Sequence, residues 1–196
     1  MPMSGKLQTA FQHFDAANQQ DPNSEIFQGK TYPKELLYAL RMTEQLNTFA
    51  PNASEALQLT ARCQHICRWE IPRDSFEMNR EGYLRWRQEL KKFHADKAES
   101  ILEKVGYSEE TIKKVRFLLE KKQLKKNEDT QTLEDVICLV FLAYYFEPFA
   151  NKHPEEKTID ILQKTWRKMS EKGHKAALQL PLSKNALELV TKAISN

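Results

Sequence analysis

Glycine is scarce in this chain, at five of 196 residues, and no segment alternates apolar and polar side chains over the length of a strand. Both absences argue against a sheet protein. Long apolar runs are also lacking, because none approaches the roughly 20 residues that cross a bilayer. The N-terminus has no apolar stretch behind positive charge, which a secretory signal requires. We therefore expect a helical protein that is not in a membrane, with a cytoplasmic location.

Charge of one sign and cysteine are both in short supply. The net charge is +3, from 30 basic and 27 acidic side chains that alternate along the chain. This excess is too small for a dedicated nucleic-acid-binding protein. Three cysteines, an odd number, argue against a disulfide framework. At this length we expect one domain over residues 1–196, with a core of about 6–195. The oligomeric state is not predicted.

Helical periodicity extends over nearly the whole chain and predicts an all-α, single-domain bundle with no sheet. The spacing of Tyr83, Trp86, Leu90 and Phe93 is strongly helical, and Gly106 supplies a C-terminal stop. Gly173 is likewise predicted to follow a helix end. The predicted helices are about Lys6 to Asn18, from Pro33 toward Phe49, about Ser54 to just before Pro72, about Asn79 to Val105, from Ser108, Leu133 to Phe149, from Pro154, and from Ser183.

The most unusual segment spans residues 62–94, with six arginines, two tryptophans and two histidines in 33 positions. Guanidinium groups stay charged and direct two donors toward a carboxylate or phosphate. Imidazoles beside them titrate near neutrality. Together they predict a pocket for an anionic small molecule. The predicted ligand-binding residues are Arg41, Arg62, Arg68, Trp69, Arg73 and Arg87.

Three of these residues are expected on one face of the third predicted helix. Arg62, His65 and Trp69 follow one another at i, i+3 and i+7, with Arg68 and Arg73 flanking them. The alternative is an ordinary solvated face, on which the arginines pair with nearby acidic side chains and the tryptophan covers the core edge.

Two histidines are the candidate catalytic residues. His65 and His94 each lie near the polar edge of an apolar stripe, so packing of the stripes would bring both imidazoles to one cavity. With Glu134 or Asp135 they would supply nitrogen and oxygen donors for one divalent metal, Zn, Mn, Fe or Mg. The other histidines are interpreted as surface residues.

Several long segments resemble a known family. PKELLYALRMTEQL, SEALQLTARCQHICRWEIPR, GYLRWRQELKKFHADKAESILEKVGY, QTLEDVICLVFLAYYF and EEKTIDILQKTWRKMS are similar to the family described as domain of unknown function 4202. The resemblance covers about residues 7 to 190. It implies no defined activity, although relatives sometimes carry a glutamyl-tRNA synthetase label.

A more distant resemblance is to HD-domain metal-dependent phosphohydrolases, which are all-helical. That resemblance implies an HD-like fold, a divalent metal and hydrolysis of phosphate compounds. The family's ligands are mostly absent: Tyr38 falls where its first histidine would stand, and His65 lies in the region of its His-Asp pair. Only Glu134 and Asp135 could replace its last aspartate.

Two short segments are similar to class I aminoacyl-tRNA synthetase motifs, KMSEK at 168–172 and HICR at 65–68. That active site requires a nucleotide-binding α/β domain with parallel strands, which this sequence does not predict. The synthetase function is therefore excluded. Two hypotheses remain. The first is an HD-like protein that hydrolyses a phosphoester or phosphoanhydride, with His65 and His94 as metal ligands or proton carriers. The second is a non-catalytic module for ligand sensing or protein interaction.

Overall fold

A computed structural model describes residues 5–195; the remaining five positions of the predicted 1–196 domain lie outside the described residues. The first half comprises α1 (Gly5–Asn18), β1 (Ser24–Phe27), β2 (Lys30–Pro33), α2 (Lys34–Phe49), α3 (Glu55–Cys63), two 3₁₀ turns (Arg68–Glu70 and Arg73–Ser75) and α4 (Arg80–Val105). The second half comprises α5 (Glu109–Leu119), α6 (Glu128–Val140), a π-helical segment (Phe141–Tyr145), α7 (Phe146–Ala150), α8 (Glu155–Lys168), α9 (Glu171–Ala177) and α10 (Lys184–Ile194). The predominantly helical fold class is thereby confirmed.

Capping residues set several of the predicted boundaries. The Asn79 side chain accepts a hydrogen bond from the first turn of α4, and Gly106 ends that helix in the left-handed conformation. Ser108 and Ser183 cap α5 and α10 in the same way. Local sequence therefore determines where these helices begin.

A short β-hairpin corrects the prediction of a bundle with no sheet. Strands β1 and β2 pair antiparallel, with Ser24 opposite Pro33 and Phe27 opposite Lys30. Between them Gln28 and Gly29 both have positive φ, 50° and 75°. Two such residues make the tight turn whose twist suits a hairpin.

The third helix is shorter than predicted, because α3 ends at Cys63 rather than just before Pro72. Cys67 adopts φ 51°, in the left-handed region. Two buried side chains bind the backbone freed by this break. The side-chain oxygen of Asn18 accepts from the Cys67 amide, and His94 Nδ1 donates to the Ile66 carbonyl at 2.9 Å.

Two further boundaries differ from the sequence prediction. The apolar run after Leu133 changes to π-helical hydrogen bonding at Phe141–Tyr145 before α7 begins. Gly173 lies inside α9 instead of after a helix end, since Ser170 caps that helix. A Cβ at Gly173 would lie 2.6 Å from an oxygen of Asp135, so the glycine permits close packing of α9 on α6.

The core consists of two hydrophobic clusters. One joins α1, α3, α4 and α5, and the other joins α2, α6, α8, α9 and α10. Helices α3 and α5 contribute to both. Within residues 5–195, no helix combines the length and apolar character that a membrane crossing requires.

Candidate functional site

A cavity of about 670 Å³ opens between the two clusters. Its walls come from the first turns of α2, the segment after α3, the start of α4, the residue two positions after α5, and facing sides of α6 and α8. Segments far apart in sequence therefore contribute to one site. This volume suits a small-molecule ligand.

Positive charge dominates the cavity wall. Six cationic side chains face two carboxylates, Glu35 and Glu134. Among the described residues, Arg87 has no hydrogen-bond or ion-pair partner. Such an excess of cations in a partly enclosed space favours an anionic ligand. The six are Lys34, Arg68, Arg87, Lys121, Lys164 and Lys168.

His65 lies in this wall between an acid and a base. Its Nδ1 is 3.2 Å from Glu35 Oε2, and its Nε2 is 2.8 Å from Arg68 Nη1. The ring stacks on Tyr38 with centroids 4.0 Å apart. Burial lowers the pKa of His65 well below its ordinary value, and Arg68 and Arg87 lower it further. A neutral ring with its proton on Nδ1, donated to Glu35, satisfies both contacts.

Glu35 and Tyr38 occupy successive turns of α2 and are both buried. Burial raises the pKa of Glu35, although Arg68 partly offsets the effect. Burial also raises the pKa of Tyr38, whose hydroxyl donates to Gln64 at 2.8 Å. These contacts fix the position and tautomer of His65, so its Nε2 points away from Glu35 toward Arg68.

The structure brings His65 and His94 together, with ring centroids 5.9 Å apart. His94 lies deeper, with only 4 % of its surface exposed, and it does not line the cavity. Its Nε2 is buried without a hydrogen-bond partner. Burial lowers the pKa of His94 to about 3, with a further contribution from His65. Both imidazoles are neutral at physiological pH.

The two predicted acidic ligands lie in different places. Glu134 faces the cavity, but it pairs with Lys121 at 2.7 Å and with Lys168 at 3.7 Å. Burial would raise the pKa of Glu134, yet these lysines outweigh it and lower that pKa. Asp135 accepts the Ser170 amide at 2.8 Å, beneath α9. Within residues 5–195, no group of three or more His, Cys, Asp and Glu side chains is placed to hold a metal ion.

Two predicted arginines, Arg62 and Arg41, make contacts outside the cavity wall. Arg62 forms a bidentate pair with Asp15, with N···O distances of 2.7 and 2.6 Å. Arg41 pairs with Glu25 at 2.6 Å and donates to the Tyr145 hydroxyl at 2.9 Å. Each therefore joins separate segments of the fold.

The other two predicted ligand-binding residues outside the wall have structural surroundings as well. Arg73 donates to the carbonyls of Phe76, Glu77 and Asn79, which orders the loop before α4. Trp69 packs at the edge of the cluster formed by α1, α3, α4 and α5. Of the six predicted ligand-binding residues, only Arg68 and Arg87 line the cavity.

Sequence reasoning missed several residues of the wall. Lys121 lies two positions after α5, outside the arginine-rich segment 62–94, and Lys168 belongs to the KMSEK segment. Glu35 and Tyr38 carry no sequence signal beyond their positions in an amphipathic helix. A signal that could have helped is the spacing Ile161, Lys164, Thr165 and Lys168, which places two lysines on one face of α8.

Comparison with known proteins identifies a family over residues 8–190, described as a domain of unknown function (DUF4202). No curated protein and no solved structure gives a significant match to the chain. The match spans every element that lines the cavity.

Proposed function

The chain belongs to the DUF4202 family, and we propose that it binds a phosphorylated small molecule in the cavity between α2, α4, α6 and α8. The observation that carries the proposal is the excess of four positive charges among the lining side chains. A dianionic phosphate would neutralise part of that excess. Guanidinium and ammonium groups are the protein's ordinary donors to phosphate.

Arg87 and Arg68 are the principal candidates for direct phosphate contact. Arg87 is half-buried and has no partner within residues 5–195, so it keeps its donors for a ligand. Within residues 5–195, the Arg68 guanidinium contacts the neutral His65 and the face of Trp86, 4.9 Å from the ring centroid, and forms no ion pair with a carboxylate. A phosphate would give each guanidinium the charged partner that it lacks.

Hydrolysis of a phosphoester is the reaction that the His65 contacts support. Arg68 would turn to the phosphate, leaving His65 Nε2 free to accept a proton from an attacking water molecule. The water oxygen would bond to phosphorus and the ester P–O bond would break. The departing oxygen would take up a proton from bulk water, and His65 would return its proton to bulk water. Glu35 would stabilise the resulting imidazolium through Nδ1–H, while Arg68 and Arg87 hold the phosphate oxygens.

No step of this proposal passes through a metal, because the predicted ligand Glu134 pairs with Lys121 and Lys168. The HD-like fold and the single divalent ion expected from sequence keep their own tests, an experimental structure and elemental analysis of the purified protein. The second candidate is a non-catalytic phosphate sensor. It is favoured by the contact of Arg68 with His65 Nε2, which occupies the nitrogen that a base needs.

Calorimetric titration with inorganic phosphate and with ribose 5-phosphate tests the binding proposal. Arg87→Gln should weaken both ligands by roughly tenfold to hundredfold, as expected for one charge-assisted hydrogen bond. Arg85→Gln is the matched control, because Arg85 is exposed two positions away and, among the described residues, pairs with Glu77 alone. Its affinity should equal that of the unaltered protein.

Phosphate release from a phosphomonoester panel separates the enzyme from the sensor. His65→Gln should abolish turnover without weakening ligand binding by more than a few-fold, whereas exposed His13 offers the control His13→Gln. Binding without turnover would support the sensor. Absence of binding to both phosphate ligands, or an Arg87→Gln protein that binds as tightly as the unaltered chain, would contradict the proposal.

A further inference from the structure

The wall formed by α6 and α8 changes from charged to apolar along its length. Glu134 and Ile137 line the cavity from α6, and Phe141 lines it from the π-helical segment that follows. The α8 side contributes Ile161, Lys164, Thr165 and Lys168. Glu134 meets Lys168 at 3.7 Å, so the charged ends of both helices lie together. Phe141 and Ile161 each lie seven residues from that pair. The two helices therefore run antiparallel here, with Phe141 and Ile161 at the same end of the wall. Lys164, one turn from Ile161, pairs with Asp160 at 2.6 Å.

The length of this gradient follows from helix geometry. Seven residues at about 1.5 Å each separate the charged and apolar ends by roughly 10 Å. The charged end also holds Lys121, which pairs with Glu134 at 2.7 Å. Phe141 and Ile161 therefore lie roughly 10 Å along the helices from Glu134 and Lys168.

Aromatic contacts fix the apolar end. Tyr145, four positions after Phe141, also lines the cavity. Its hydroxyl accepts from Arg41 at 2.9 Å, and its ring lies 6.0 Å from that of Tyr38. The Arg41 contact fixes the hydroxyl end of Tyr145, and the ring adds aromatic surface to this part of the wall. Arg41 thereby stabilises an aromatic surface without entering the cavity.

From this gradient we propose that the ligand is a phosphate monoester whose organic group is apolar or aromatic and lies against Ile137, Phe141 and Ile161. The inference rests on the proposed function and narrows its ligand class. A sugar phosphate would place hydroxyl groups against Ile137, Phe141 and Ile161, whose side chains offer no hydrogen bond in place of water. A flat ring or a hydrocarbon chain would instead bury apolar surface there.

Titration with four ligands tests the inference on the unaltered protein: 1-naphthyl phosphate, geranyl phosphate, ribose 5-phosphate and inorganic phosphate. At least one of the first two should bind roughly tenfold or more tightly than ribose 5-phosphate, because it buries apolar surface. Preference for naphthyl phosphate would identify a ring, and preference for geranyl phosphate would identify a chain. Equal affinity of all three esters would overturn the inference.

Substitutions in the cavity wall identify the side chains that produce the preference for an apolar ester. Ile161→Thr and Phe141→Leu should each reduce the preference for the apolar ester over ribose 5-phosphate, while Arg87→Gln should weaken all the esters to a similar degree. The control is Leu178→Thr, whose side chain is 51 % exposed and lies outside the cavity wall. The preference is a ratio within one protein sample, so partial loss of folded protein does not alter it.

The outcomes also separate this inference from the proposed function. If ribose 5-phosphate and inorganic phosphate bind but the apolar esters gain nothing, the cavity binds phosphate and the inference about the organic group is wrong. If none of the four ligands binds, the proposed function fails. A preference that Ile161→Thr and Phe141→Leu leave unchanged would place the organic group elsewhere and overturn the inference.

Discussion

Replacement of His94 by glutamine should make the protein less sensitive to acid. In the folded protein, His94 Nδ1 donates to the Ile66 carbonyl and Nε2 is buried without a partner. A second proton on Nε2 would therefore place an unpaired charge in the core, close to His65 and Arg68. The unfolded chain has no such penalty and binds that proton readily.

The size of the effect follows from the two pKa values. Burial and His65 lower the pKa of His94 from 6.5 to about 3 on folding. The unfolded state then binds more protons below 6.5, so stability is complete above that pH and falls as the pH decreases toward 3. Between about pH 7 and pH 5 the loss from this one group is about 2 kcal/mol. For a chain of this length that corresponds to roughly 4–8 °C in Tm.

Urea denaturation of the unaltered protein and of His94→Gln at both pH values measures this difference. The variant should lose about 2 kcal/mol less stability than the unaltered protein on acidification. His65, whose pKa burial also lowers, contributes in the same direction and remains in both proteins. Exposed His13 provides the control, and His13→Gln should retain the full pH dependence. A His94→Gln protein with the same pH dependence as the unaltered chain would refute the burial argument.

Two substitutions outside the cavity test the packing that supports it. Arg62→Met should lower the free energy of unfolding, measured with urea, by about 1–3 kcal/mol, because it removes both donors that hold Asp15. Arg62→Lys should recover only part of that stability. An Arg62→Met protein as stable as the unaltered chain would contradict the ion pair. Gly173→Ala should cost about 1–3 kcal/mol through its contact with Asp135. Gly5→Ala, with nothing within 4 Å of its Cβ, should leave Tm unchanged, and equal Tm for the two alanine variants would contradict the close packing.

The parts of the fold that sequence predicted are those that local interactions determine. Asn79 and Gly106 delimit α4 through contacts within a few residues, so a periodic pattern with caps was sufficient. The end of α3, in contrast, is determined by residues that are distant in the sequence. It depends on Asn18 and His94, which lie 49 and 28 positions from their partners Cys67 and Ile66. A local pattern cannot encode such partners, and the helix was therefore extended too far.

Some residues of the candidate site could likewise be predicted from the sequence, and others could not. Arg68, Arg87 and His65 were predicted from their concentration in residues 62–94, and all three line the cavity. Arg62 belongs to the same concentration but pairs with Asp15, a residue 47 positions away. Lys121 lines the cavity from the segment after α5, which lies outside that concentration. Composition indicated the charge of the site, whereas tertiary contacts decide which cations remain available.

A crystal structure of the protein soaked in tungstate tests the central claim most directly, because the tungsten atom marks the position of a phosphate-like anion. We expect anomalous density within the cavity, with tungstate oxygens in hydrogen-bond distance of Arg87 and of Arg68 or Lys121. Soaked Arg87→Gln crystals should show that density reduced. Tungstate found only at exposed lysines outside the cavity, with the cavity itself unoccupied, would contradict the account.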